Sequence, residues 1–332
     1  MHHIFIDTNV FLDFYRESKQ DYDQNKLDKI LNKFREKSSI YKVYLTDYLK
    51  DEVFRNRAKV LKEQSDELSK KLKLTKGFPT VVRSLSTYDQ FDKDLKSLEK
   101  SYQKLNAEFL KNSKDRIFDQ DKFLNDFFEI YPIHQVSDTE KLAARDRFDF
   151  GYPPGKKDSY GDALNWLHLL EKVPMNTDLY LVSRDNDFSN PLEQSEINPY
   201  LAQEWHQKKH GKIIFLDSIF SLIHTLDSAD QEFEKTYISE QLDKLVSSPN
   251  FAETHSQISK LKSFVEKFTQ EQIVQFITGF YKNPQINWIS SDPDVKEFLR
   301  LVQANSHYSK ELRETIKIEL RGEEDVEFNE DD

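Results

Sequence analysis

The chain has 332 residues, enough for about two domains, and its 37% hydrophobic and 13% aromatic content can fill a sizeable core. It contains no cysteine, which excludes disulfide frameworks, zinc ribbons and thiol catalysis and fits a reducing cytoplasm. The formal net charge of -11 is unevenly spread, with 15 Lys/Arg against 9 Asp/Glu over residues 57–116 and seven acids against one Arg over residues 321–332.

No apolar run approaches the roughly 20 residues that cross a bilayer. The first residues carry no basic region followed by a cleavage site. These features set the expectation of a soluble, cytoplasmic protein with no membrane partner. The basic middle is a plausible phosphate track, or simply a solvated helical surface.

Ile4–Ile6 reads as a short strand that turns at Asp7-Thr8-Asn9 into a helix, with Val10, Phe11, Phe14 and Tyr15 at helical spacing. A second helix over about 25–38 repeats Leu27, Ile30, Leu31 and Phe34 at i, i+3, i+4 and i+7. Tyr41–Leu45 is the next strand, and Thr46 caps a helix that carries Glu52. Residues 57–129 then change character, with narrow apolar stripes such as Leu95, Leu98, Tyr102, Leu105 and Phe109 interrupted at Gly77-Phe78-Pro79. That segment is expected to be a helical hairpin inserted into the fold.

The α/β pattern resumes over 130–226. A Pro/Gly/Lys loop at 151–158 leads into a helix from Gly161 to Lys172. Leu179–Ser183 and Lys212–Leu216 read as buried parallel strands, being nearly continuous apolar runs. Strands alternating with helices predict a doubly wound α/β/α sandwich with a central parallel sheet, built from residues 1–56 and 130–226. Residues 227–322 predict an all-helical module, with a weak strand signal at Trp288-Ile289, and residues 323–332 an acidic disordered tail.

Asp7, Glu52, Asp162 and Asp185 each stand where a strand ends or a helix begins, the edge at which such a sheet gathers functional groups. Gathered carboxylates stay ionised only if a cation neutralises them. The cheapest cation for oxygen ligands is Mg²⁺ or Mn²⁺. We therefore assign these four as catalytic and metal-binding, with Thr8 and Asn9 orienting Asp7 and its water. Asp187 is either a further ligand through water or a turn cap, and Asp158 is an accessory ligand from the loop. An aspartate at a strand end is, taken singly, more often only a cap; the joint occurrence of four shifts the reading.

Arg55, Arg57, Lys157 and Arg184 flank the acids and are candidates for substrate phosphate. For Arg57 the alternative is a structural ion pair, and for Arg184 neutralisation of the acid cluster. Tyr152 and Tyr160 either stack a base or pack on their own loop. His134, His168 and His255 read as packing histidines, and seven glycines leave little room for a phosphate-binding loop.

The segment Ile4–Leu12 resembles the opening of a PIN domain, and the motifs around Glu52, Asp162 and Asp185 follow in the order of that family. Pro153 to Trp166 and Glu52 to Arg57 resemble a bacterial PIN-like subfamily. Residues 248–255 and 283–289 are similar to a helical region appended in it. Asp185-Asn186-Asp187-Phe188 departs from that subfamily in lacking a Lys-rich, Trp-containing continuation. The resemblance implies a metal-dependent endoribonuclease, and the setting of a toxin or anti-phage defence effector. Its partners would be RNA and a regulatory protein or a second copy. A single-stranded or flap DNA nuclease of the same fold, and an inactive PIN-like scaffold, are the competing readings.

Overall fold

The computed structural model describes residues 1–16, 22–71, 78–155, 160–228 and 230–305. Lys157, Asp158 and the acidic tail lie outside the described residues. The chain divides into two compact units, residues 1–222 and 223–332.

In the first unit the elements run β1 (His2–Ile6), α1 (Thr8–Leu12), α2 (Gln24–Glu36), β2 (Tyr41–Val43), β3 (Leu45–Thr46) and α3 (Asp47–Lys71). There follow α4 (Thr80–Arg83), α5 (Tyr88–Asp115), α6 (Asp119–Ile130), β4 (Ile133–His134), α7 (Asp138–Asp149) and α8 (Gly161–Lys172). The unit closes with β5 (Leu179–Val182), α9 (Pro199–Lys209), β6 (Ile213–Leu216) and α10 (Ile219–Leu226), the division falling inside α10. Four strands form one parallel sheet in the order β2-β1-β5-β6, with Ile4 opposite Tyr180 and Tyr180 opposite Ile214. The chain leaves β1 toward β2 on one side and returns at β5 on the other. The ends of β1 and β5 therefore form the switch point where α/β sheets bind ligands.

The predicted strand over 41–45 divides. Tyr44 donates its N–H to Ile4 O at 2.9 Å, after which β3 leaves the main sheet and pairs in parallel with β4. Glu52 thereby starts from a strand lying off the main sheet, on a helix of 25 residues that runs on into the hairpin. The expected hairpin is α3 with α5, and α5 buries none of its side chains. α6, which lies almost wholly within the 57–129 segment, packs into the core: Phe123, Leu124, Phe127 and Phe128 are buried, and Phe127 meets Phe11 and Phe34 at ring distances of 5.3 and 5.0 Å. Burial of such rings against α1 and α2 contributes roughly 1.5–3 kcal/mol each.

The second unit is helical: α11 (Gln231–Val246), α12 (Phe251–Leu261), α13 (Gln270–Lys282), α14 (Pro284–Trp288) and α15 (Pro293–Ala304). Leu242, Leu245, Leu261, Phe268, Ile273, Phe276 and Phe298 form its core. The strand expected at Trp288-Ile289 is instead the end of α14. Asn283 caps that helix through Gln285 N, and Pro284 occupies its first turn, where a missing N–H costs nothing. No described helix is long and apolar enough to cross a membrane.

Candidate active site

Asp7 follows β1 directly and is 3% exposed. Its Oδ1 accepts from Thr8 N at 2.7 Å, while Oδ2 accepts from Asn9 Nδ2 at 2.8 Å and from Ser183 Oγ at 2.6 Å. Ser183 directly follows β5, and its Oγ accepts from Asp185 N at 2.9 Å. One buried hydroxyl thus ties the end of β1 to the loop bearing Asp185. The sequence reading missed this residue, because a serine closing an apolar strand carries no signal of its partner 176 positions away.

Asp185 Oδ1 in turn accepts from Asp187 N at 3.1 Å, which sets Asp187 in a tight turn beside it. Glu52 Oε2 accepts the Thr8 hydroxyl at 2.9 Å, so Thr8 links α3 to the turn after β1. Thr46 aligns the remaining helix. Its hydroxyl accepts from Leu49 N at 3.0 Å, at the start of α3, and donates to Asn165 Oδ1 of α8 at 2.9 Å. That brings Asp162, in the first turn of α8, to the side of Glu52.

The electrostatics of the acids are collective. Burial first, with the charges of Asp185 and Glu52, overcomes the hydrogen bonds from Ser183 and Thr8 and pushes Asp7 up to about 7. Burial again, then the charges of Asp7, Asp185, Glu52 and Asp187, pushes Asp162 up to about 8. Glu52 is also raised, by burial and Asp185, against the Thr8 hydrogen bond and Arg55. Each of these acids resists ionisation first because it is buried, and the neighbouring carboxylates add to that.

Among the described residues no group of three acids or histidines stands close enough to one point to grip an ion as it is. The donor chemistry nevertheless fits a hard divalent ion. Every polar group that the acids bring to the switch point is a carboxylate oxygen, and neutralisation by Mg²⁺ or Mn²⁺ relieves the repulsion among them. Asp7, Glu52, Asp162 and Asp185 would hold it, with Asp187 adjacent.

The cations separate into two groups. Arg55 is exposed, with its guanidinium 5.5 Å above the Tyr48 ring and its charge felt at Glu52. Arg184 is half exposed and pairs with Asp13, an acid the sequence reading did not single out, which burial raises despite Arg184 and Arg16. Arg57, for which the sequence left a phosphate contact or a structural ion pair open, is 4% exposed and ion-paired. Its Nε and Nη2 take both oxygens of Asp121, the latter at 2.6 Å, and Nη1 donates to Ser113 O at 3.0 Å.

Gly161 is required by close approach. A Cβ on it would stand 2.7 Å from Tyr48 Cε1 and 3.4 Å from Glu52 Oε2. Gly161→Ala is expected to lower stability by about 1–3 kcal/mol, the usual cost of overpacking. Urea unfolding of the single variant and of a double variant with Tyr48→Leu checks this; the double variant should recover most of the loss.

A parallel sheet whose switch point gathers acidic side chains on hydrogen-bonded mounts defines the class of PIN-like α/β proteins. The family described as PIN domain matches residues 4–188, more than half of the chain, and the chain belongs to that family. No curated protein and no solved structure matches it. The matched span includes the hairpin and both central strands of the sheet. PIN domains are generally nucleases that use divalent metal ions and bind nucleic acid.

Proposed function

We propose that this protein is a metal-dependent endoribonuclease that cleaves RNA phosphodiester bonds by hydrolysis. The reading is supported above all by buried carboxylates gathered about the ends of β1 and β5, where burial and neighbouring negative charge push Asp7 and Asp162 up, an arrangement that costs stability unless a cation is used there. When bound, Mg²⁺ or Mn²⁺ supplies an activated water and neutralises charge at the phosphate. The side chains of the protein do the rest. Ser183 and Asn9 fix the orientation of Asp7, and the Thr8 hydroxyl fixes that of Glu52. Arg55, anchored on Tyr48, offers the phosphate a planar donor pair, and Arg184 lies on the rim.

The biological setting we assign is that of a toxin or anti-phage effector acting on RNA in the cytoplasm, with the C-terminal helices as the place where a regulatory partner acts. The test is cleavage of labelled single-stranded RNA and matched DNA with Mn²⁺, Mg²⁺ or EDTA. Unmodified protein is expected to cut RNA only with metal, and Asp7→Asn to leave it intact. Cutting of DNA alone would replace the ribonuclease by a flap-type nuclease, and cutting of neither would sink the enzyme.

A further inference from the structure

The loop after α7 and the start of α9 leave an unusual amount of aromatic surface in solvent. Phe150, Tyr152 and Tyr200 are 77%, 48% and 43% exposed. Tyr152 and Tyr200 stack, with centroids 5.9 Å apart and planes at 22°, and Phe150 meets Tyr152 at 6.5 Å. Rings needed for the core would be covered, so this group is a platform. Beside it Phe148, Tyr152, Asn186, Asp187 and Asn198 line a cavity of about 450 Å³. Asn186 and Asp187 directly follow Asp185, so the cavity and the acid cluster share one loop as a wall.

The cavity is held open by its frame. Arg147 donates to Pro153 O at 2.8 Å and to both oxygens of Glu204 at 3.0 and 2.6 Å, and its guanidinium lies 5.9 Å over the Tyr200 ring. Trp166 Nε1 donates to the same Glu204 at 2.8 Å, which fastens the loop to α8 and α9 together. Phe148 is braced edge-on by Tyr160 at 4.7 Å. Gly151, at φ +71°, has no described atom within 4 Å of where a Cβ would stand.

The lining decides what enters. A carboxylate in the wall, with the acids beyond it, repels a phosphate group. Ring faces favour a flat heterocycle, and amide side chains offer the paired donor and acceptor that a base edge carries. A base in a duplex cannot reach such a cavity without leaving its stack. We propose that the cavity takes one unpaired base of a single-stranded RNA, stacked on Tyr152 and read at its edge by Asn186, with the sugar–phosphate chain outside. This rests on the nuclease reading above and adds to it a pocket for one base beside the acid cluster.

The test uses the full chain in EDTA, so that nothing is cut. Fluorescence anisotropy follows binding of a short labelled single-stranded RNA, the same RNA as a duplex, the matched DNA strand, and a strand carrying 2-aminopurine. Tyr152→Ala is expected to weaken single-strand binding by about 5- to 100-fold, the range for loss of one stacked base. Tyr152→Trp should retain it, and the 2-aminopurine emission should respond to binding by the parent and not by the alanine variant. An unchanged circular dichroism spectrum shows that the fold is kept. Equal affinity of Tyr152→Ala and parent, or equal weakening for strand and duplex, overturns the proposal. Tighter DNA binding with the same dependence on Tyr152 overturns the choice of RNA. Metal-dependent cleavage by the parent is measured alongside: binding lost in Tyr152→Ala without any parental cleavage retains the pocket and removes the nuclease. Parental cleavage with binding indifferent to Tyr152 removes the pocket alone.

Discussion

Asp162→Asn is expected to abolish metal-dependent cleavage and, at the same time, to make the metal-free protein more stable. The loss of activity should exceed about 100-fold, since losing even an outer partner of a metal ligand costs 10- to 100-fold. The gain in stability follows from the charge balance. In the folded protein Asp162 holds its proton up to about 8 and Asp7 up to about 7, whereas an unfolded aspartate releases it near 3.8. Between those limits the folded state binds more protons than the unfolded state, so stability falls as pH rises from about 4 to about 8. Asparagine has no charge to desolvate and removes one member of the repelling set. At pH 8 the relief should be on the order of 2 kcal/mol, a rise in Tm of several degrees. Thermal melts in EDTA over that pH range measure it, and a flat difference between parent and variant would refute it. Mn²⁺ should raise the Tm of the parent by mass action and leave the variant nearly unmoved.

Arg57→Ala is expected to destabilise the first unit by about 3–5 kcal/mol without touching the acids. The variant strips the partner from Asp121, a carboxylate 2% exposed, which also accepts from Tyr15 OH at 2.6 Å. A buried charge left alone is what makes such breakage costly. Lysine cannot replace the fork that grips both oxygens of Asp121 while reaching Ser113 O, so Arg57→Lys should recover little. The pair is not intrinsically stabilising, however. Replacing both partners with apolar residues, Arg57→Met with Asp121→Leu, should return the stability to within about 1–2 kcal/mol of the parent. Urea unfolding followed by probes in the first unit measures all three, because a chain with two compact units need not unfold in one transition. If Arg57→Ala instead unfolds like the parent but binds RNA weakly, Arg57 is a phosphate contact after all.

The two central strands of the main sheet were legible because both of their faces are largely buried. Ile4–Ile6 and Leu179–Val182 are apolar at successive positions, which only a strand covered on both sides tolerates. The positions of Asp7 and Asp162 were legible for a related reason: polar residues at the border of an apolar run mark where the chain turns. The split at Tyr44 was not legible, since β2 and β3 are one extended run and differ only in their partners. Trp288 was misread because an aromatic followed by isoleucine favours a strand locally, while the cap at Asn283 decides the helix five residues earlier. Arg57 and Ser183 share a deeper obstacle. Their roles are set by Asp121 and Asp7, at separations of 64 and 176 residues, and no local pattern encodes such distant partners.

That separation has a consequence for synthesis. In the finished sheet His3 of β1 lies opposite Leu179, so one side of β1 has no partner until β5 has left the ribosome. At about 5–20 residues per second the intervening chain takes roughly 10–35 seconds to make. Throughout that interval Asp7 lacks the Ser183 mount, and Asp185 does not yet exist. If the protein is the ribonuclease proposed above, the nascent chain would stay inactive toward the message that encodes it until β5 is made. Truncated products ending before β5 expose an unpaired β1 edge.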